Sequence, residues 1–248
     1  MKQVMVVTGS SRGIGAATAL MASRRGYAVC INYVSNGDAA EALRAQIAGE
    51  GGEAIVVRGD MGVEDDVLRL FAAVDTQLGP ITALVNNVGV LEQQCKLTEM
   101  SAERMQRVFT TNIMSAFLCA REAVRRMSTR SGGQGGGIVN ISSGAARHGG
   151  ANTYIDYASS KGAIDVMTLG LSKEVAEEGI RVNCVRPGVT DTEIHASGGM
   201  PDRVARMAAS LPMGRAARSE EVAESILWLL SPQSSYVSGA ILDVAGSR

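Results

Sequence analysis

The chain has 248 residues, with 24 lysines and arginines against 25 aspartates and glutamates and a formal net charge of −1. That balance gives nothing that favours nucleic acid or an anionic membrane as a partner, and neither is expected. No apolar run is long enough to span a bilayer, and the opening residues enter a strand without the regions of a secretion signal. A soluble, cytoplasmic protein is expected, with residues 1–248 folded as a single α/β domain.

The first element is Val4-Met5-Val6-Val7-Thr8-Gly9-Ser10-Ser11-Arg12-Gly13-Ile14-Gly15. An apolar strand runs into a glycine turn and then a helix whose face is Ile14, Ala17 and Met21. Such a turn leaves backbone N–H groups at the positive end of a helix dipole, where a phosphate docks if no β-carbon holds it away. The glycine spacing is looser than the G-x-G-x-x-G fingerprint, so a purely steric turn is the competing reading.

Further apolar runs at 28–33, 54–57, 83–85, 138–141 and 180–185 alternate with amphipathic periodic segments. One long helix is expected through Val108, Ile113, Ala116, Ala120, Val124 and Met127. The glycine-rich stretch 131–137 reads as a loop, because strand grammar resumes at once. Strands apolar almost throughout, alternating with helices, imply a doubly wound parallel sheet of about seven strands covered on both faces. Ligands of such sheets bind beyond the carboxyl ends of the strands, which here are 8–15, 32–33, 60–61, 86–89, 142–143 and 187–192. The long segment 190–213 is expected to be a mobile flap over that crevice, or else a surface excursion.

Cys30, Cys95, Cys119 and Cys184 lack C-x-x-C spacing and read as reduced thiols. His148 and His195 are too few for a histidine metal centre, so no metal is expected. Each reads as an ordinary loop residue, although His148 lies where it could touch substrate. No G-x-S-x-G elbow or H-E-x-x-H motif occurs.

Tyr157 and Lys161 stand four apart at the start of a periodic helix, so both leave the same face. An ammonium there favours phenolate, and a tyrosine so prepared exchanges protons near neutral pH. In the company of other motifs this pair makes the chain resemble the short-chain dehydrogenase/reductase family over essentially its whole length. The family's T-G-x-x-x-G-x-G turn is matched by residues 8–15, and N-N-A-G by Asn86-Asn87-Val88-Gly89. The helix asparagine is matched by Asn112, the serine after the fifth strand by Ile141-Ser142-Ser143, Y-x-x-x-K by Tyr157-Ala158-Ser159-Ser160-Lys161, and P-G by Pro187-Gly188. Val88 departs from the usual alanine. The segment from Ser143 to Tyr157 is one residue longer than the commonest spacing; Ser143 aligns with the family's N-x-x-S, with Ser142 beside it as the alternative.

The resemblance implies a Rossmann fold and hydride transfer between a nicotinamide and a carbonyl or secondary alcohol. Tyr157 would be the acid/base, and Lys161 would hold the ribose hydroxyls and lower the tyrosine's pKa. Ser143 would hold the substrate oxygen, and Asn112 a proton-relaying water. Cofactor contacts would come from Gly9, Ser11, Arg12, Gly13, Ile14, Gly15, Asn32, Asp60, Met61, Asn87, Gly89, Tyr157, Lys161, Pro187, Gly188 and Thr192. An acidic residue after the second strand, as NAD sites use, is missing from Asn32-Tyr33-Val34-Ser35, and Arg12 lies in the glycine turn. That pattern resembles the NADP subtype. The sequence is similar both to 3-oxoacyl-carrier-protein reductases, for which Arg125, Arg126 and Arg130 would offer a basic patch, and to glucose-type sugar dehydrogenases. Substrate walls are expected from 145–150, 91–94 and the flap, and a homotetramer from the resemblance. The competing reading is a catalytically idle dinucleotide-binding redox sensor.

Overall fold

In the computed structural model, which describes residues 2–247 without the side chain of His195, Val4, Met5, Val6 and Val7 are all closed to solvent. Successive strand residues point to opposite faces, so this is possible only where both faces of the sheet are covered. Val4 and Val6 enter one hydrophobic cluster with Leu70, Phe71 and Ile138, while Met5 and Val7 enter a second with Ile31, Ile47 and Ile226.

The strand is β1 (Gln3–Val7), followed by α1 (Gly13–Ser23), β2 (Tyr27–Tyr33), α2 (Gly37–Gly49), β3 (Ala54–Arg58), α3 (Glu64–Gln77) and β4 (Ala83–Asn86). Then come α4 (Ala102–Phe109), α5 (Ser115–Met127), β5 (Gly136–Ile141), α6 (Ala145–His148), α7 (Ile155–Glu174) and β6 (Ile180–Pro187). The chain continues with α8 (Ile194–Ser197), α9 (Arg203–Ala208), α10 (Ser219–Leu230) and β7 (Ile241–Val244). The strands pair in parallel in the order β3-β2-β1-β4-β5-β6-β7. The order reverses between β1 and β4, and a ligand crevice belongs beyond that point.

Two local features bear on the site. The helix expected to run unbroken to Met127 is interrupted by a π turn at Thr110–Met114, which widens the backbone ring and carries Asn112. A wider turn leaves no mark on a 3.6-residue apolar pattern as short as this one. The glycine-rich stretch before β5 is packed rather than loose: a Cβ at Gly133 would sit 2.3 Å from the Arg126 carbonyl oxygen, and one at Gly135 2.4 Å from that of Gly179. Within 190–213 the chain forms the short helices α8 and α9, and Thr190 bridges to Ala217. His195, singled out in the sequence, has a side chain outside the described residues.

Candidate active site

The glycine turn after β1 is held from both sides by amides. The Asn32 side-chain oxygen accepts the Gly9 N–H at 3.0 Å, and Asn87 donates to the carbonyls of Thr8 and Gly9 at 3.0 and 2.9 Å. Gly9 and Gly13 have φ of +59° and +55°, in the left-handed region. A Cβ at Gly15 would lie 2.6 Å from Asn87 Nδ2, and one at Gly13 3.2 Å from Thr192 Cγ2. The turn therefore presents bare backbone in front of α1. The bulk of Val88 is accommodated because Gly9 offers it no Cβ; one there would meet Val88 Cγ2 at 3.2 Å.

A cavity of about 930 Å³ opens over this turn. Of the residues singled out in the sequence, Gly9, Ser11, Arg12, Gly13, Ile14, Asp60, Met61, Asn87, Gly89, Ser143, Tyr157, Lys161, Pro187, Gly188 and Thr192 border it. Three do not. Asn32 is fully buried, and its amide donates to the carbonyls of Val57 and Gly59 while its oxygen serves Gly9, so it shapes the turn and has nothing left for a ligand. Gly15 lies behind the turn as a close-packing residue. Asn112 is buried, with its side-chain oxygen accepting from Val90 N at 2.7 Å and its amide donating to Val90 O and Ser160 Oγ. Any water it holds must therefore be held by the backbone of its π turn.

The far wall is built by α7. Arg104 of α4 forms a bidentate ion pair with buried Asp156, and Asp156 Oδ1 accepts the Tyr157 N–H at 2.9 Å, which fixes the first turn of α7. One turn on, Lys161 is 3 % exposed, and its Nζ donates to the Ile141 carbonyl at 2.8 Å and lies 5.8 Å from the Tyr157 ring centre. Burial lowers this ammonium from its usual 10.5 to about 8, with Cys184 and Asp165 pulling the other way. The Tyr157 phenol is raised above its ordinary value, first by removal from water; the hydroxyl of Ser143 and the charge of Arg203 oppose that rise. In the protein alone desolvation outweighs both opposing contributions. A Cβ at Gly89 would sit 3.2 Å from Lys161 Nζ and 3.7 Å from Asn112 Oδ1, so glycine keeps the ammonium open to the cavity.

Two cavity residues escaped the sequence reading. Tyr154, the residue just ahead of α7, meets the Tyr157 ring edge-on at 5.8 Å between centres. Arg203 of α9 reaches Tyr154 from within the segment 190–213. Because Tyr154 stands outside the helix, no helical spacing announces its contact with Tyr157, and Arg203 has no local signal either.

A parallel, doubly wound sheet with a side-chain-free glycine turn at its switch point defines a Rossmann-type dinucleotide-binding protein. A family model described as enoyl-(acyl carrier protein) reductase matches residues 9–246. An uncharacterized oxidoreductase, YgfF of Escherichia coli (strain K12), is 51 % identical over 99 % of both chains, and cis-4-hydroxycyclohexanecarboxylate dehydrogenase of Sinomonas cyclohexanicum is 41 % identical over 99 % of this chain and 96 % of that one. Among solved structures, a dehydrogenase/reductase from Sinorhizobium meliloti 1021 superposes with a TM-score of 0.90 at 29 % identity, covering 99 % of this chain and 94 % of that chain. A blue fluorescent protein from a metagenomic library, in complex with NADPH, superposes with a TM-score of 0.89 at 30 % identity, covering 99 % and 97 %. The chain belongs to the short-chain dehydrogenase/reductase family.

Proposed function

We propose that the chain is an NADP(H)-dependent oxidoreductase that interconverts a carbonyl compound and a secondary alcohol. The observation that carries this reading is one continuous cavity, with the glycine turn at one end and Ser143, Tyr157 and Lys161 together at the other. The residues fit a dinucleotide. Bare backbone at Gly9 and Gly13 faces the N-terminal end of α1, where a pyrophosphate is stabilised without side chains. The Lys161 ammonium stands where it would hold ribose hydroxyls, and Asp60 and Met61 border the cavity for an adenine.

When bound, the nicotinamide supplies or accepts the hydride. Tyr157 gives or takes the proton at the substrate oxygen. The Ser143 hydroxyl donates to that oxygen as charge develops on it. Ser142 is turned away, its hydroxyl donating to the Lys161 carbonyl.

The phosphorylated cofactor is favoured by charge. Exposed Arg12 borders the cavity, and Tyr33, Val34, Ser35 and Asn36 line its rim without a carboxylate. The NADPH complex of a structural relative agrees with this preference. Residues 190–213 form the substrate flap of a single oxidoreductase domain. Exposed Phe109, Met114, Phe117, Val166 and Leu169 on or between α4, α5 and α7 support self-association, for which we propose a homotetramer. No helix among the described residues is long and apolar enough to cross a membrane.

The reading is tested by following absorbance at the NADPH band with a panel of ketones and aldehydes, and the reverse reaction with secondary alcohols. Cofactor-dependent turnover is expected; binding without turnover across the panel would leave a dinucleotide-binding protein without this activity.

A further inference from the structure

At the substrate end of the cavity Arg203 projects from α9 over the ring of Tyr154, its guanidinium carbon 5.4 Å from the ring centre. Its Nη2 donates to the Tyr154 hydroxyl at 2.8 Å. Tyr154 is 6 % exposed and stacks edge-on against Tyr157, so the guanidinium is carried on a rigid aromatic step beside the proposed proton donor. Its charge reaches that far, since it opposes the rise of the Tyr157 phenol.

What this guanidinium lacks is an anion. Among the described residues, no carboxylate lies within ion-pair distance of Arg203. The other cavity charges are engaged or distant: Arg147 pairs with Asp243 at 2.9 Å, and Lys161 donates to the Ile141 carbonyl. Of the segment's three carboxylates, Asp191, Glu193 and Asp202, only Glu193 borders the cavity, and it lies at the other end, its Oε2 3.8 Å from the place of a Gly13 Cβ. Arg203 is half-buried and borders the same cavity as Leu91, Ala145 and Ile194. A half-buried guanidinium bonded to one neutral hydroxyl retains several unfilled N–H donors, and the group that matches its planar fork is a carboxylate.

We propose that Arg203, oriented by Tyr154, is the specificity-determining residue for the substrate, and that the substrate is a hydroxy or oxo acid whose carboxylate it binds at the end remote from the reacting carbon. The inference rests on the oxidoreductase reading above and narrows it to acidic substrates. The opposing account is that the Arg203–Tyr154 contact is only a latch that holds α9 in place.

The test uses the full chain with NADPH and three oxo acids, 4-oxopentanoate, 6-oxoheptanoate and 4-acetylbenzoate, each paired with its uncharged methyl ester. The wild type should prefer at least one acid over its ester by about ten- to hundredfold in kcat/KM, the worth of a charge-assisted bidentate contact. Arg203→Met should collapse that ratio toward unity and Arg203→Lys should retain part of it. Arg206→Met, on the exposed side of the same helix, should keep the wild-type ratio. Equal use of acids and esters by the wild type overturns the proposal, and so does an Arg203→Met variant that loses activity on both in proportion, as a latch would. If the wild type reduces none of the six compounds, the oxidoreductase reading is judged separately by the wider panel of ketones, aldehydes and secondary alcohols. Calorimetry with 4-acetylbenzoate on the NADPH-loaded protein then decides the subsite: binding lost in Arg203→Met sustains it, and equal or absent binding in both proteins removes it.

Discussion

The hydroxyl of Ser142 donates a 2.9 Å hydrogen bond to the carbonyl oxygen of Lys161, and both residues are closed to solvent. This bond ties the end of β5 to the second turn of α7. The same strand end offers its Ile141 carbonyl to Lys161 Nζ. Two adjacent serines are thereby separated in what they can do: one joins two elements, and the other faces the cavity with its oxygen accepting the Ala145 N–H at 3.1 Å.

That separation predicts opposite phenotypes. Ser143→Ala removes the donor aimed at the developing oxyanion and should lower kcat by about 10²–10³-fold; it also removes the acceptor of the Ala145 N–H, so its loss of melting temperature should be no larger than that of Ser142→Ala. Ser142→Ala removes a buried hydrogen bond and should cost about 1 kcal/mol of stability. Parallel thermal melts and steady-state kinetics on the two variants check this, and a Ser142→Ala loss of kcat equal to that of Ser143→Ala would reverse the assignment.

The second prediction concerns the proton. Tyr157→Phe keeps the ring that packs against Tyr154 and removes only the hydroxyl. Turnover should fall by at least about 10³-fold, in the upper range for loss of a general acid. NADPH affinity, measured by fluorescence titration, should stay within a few-fold of the wild type, because the cradle is backbone at Gly9 and Gly13. Near-normal turnover in this variant would remove the proposed acid.

Most of this site was legible because its parts follow strands. In a parallel sheet buried on both faces the strands read as unbroken apolar runs, and the polar clusters after Val7, Asn86 and Ile141 mark the crevice rim in advance. Asn32 misled for the same reason. A polar residue near the end of β2 has the signature of a ligand contact, yet it is spent on the backbone of two neighbouring turns. Nothing local distinguishes those uses, since the partners Gly9 and Gly59 lie on other segments. The Arg203–Tyr154 bridge joins positions 49 apart, and the segment 190–213 has no apolar periodicity to orient it.

Lys161 sets a pH dependence of stability. Folding lowers its pKa from 10.5 to about 8, so between those values the unfolded chain holds the proton that the native protein has released. Where the unfolded state binds more protons, stability rises with pH. Below about pH 8 both states are charged and the penalty, on the order of 3 kcal/mol, is fully present. Buried Cys30 and Cys184, pushed up to about 12, act in the opposite sense once unfolded thiols ionise near pH 9. The lysine is therefore isolated by comparison with Lys161→Met. Between about pH 7.5 and 9.5 the wild type should gain melting temperature relative to the variant, and a constant difference would show that Lys161 does not titrate there.

The last prediction concerns Arg12 and the choice of cofactor. Its guanidinium is exposed at the cavity rim, opposite a β2–α2 loop whose bordering residues, Tyr33 through Asn36, carry no negative charge. A ribose 2′-phosphate would meet attraction there, whereas an NAD site would set a carboxylate to accept the ribose hydroxyls and repel the phosphate. The wild type should use NADPH in clear preference to NADH. Arg12→Ala should reduce the ratio of their kcat/KM values by about ten- to hundredfold, mainly through the KM for NADPH, as expected for one charge-assisted contact. Because the contact is exposed, the preference should also shrink as salt rises and the Debye length falls below about 10 Å. A wild type equally efficient with both cofactors, or an Arg12→Ala variant with an unchanged ratio at low salt, would show that the 2′-phosphate is not read at this turn.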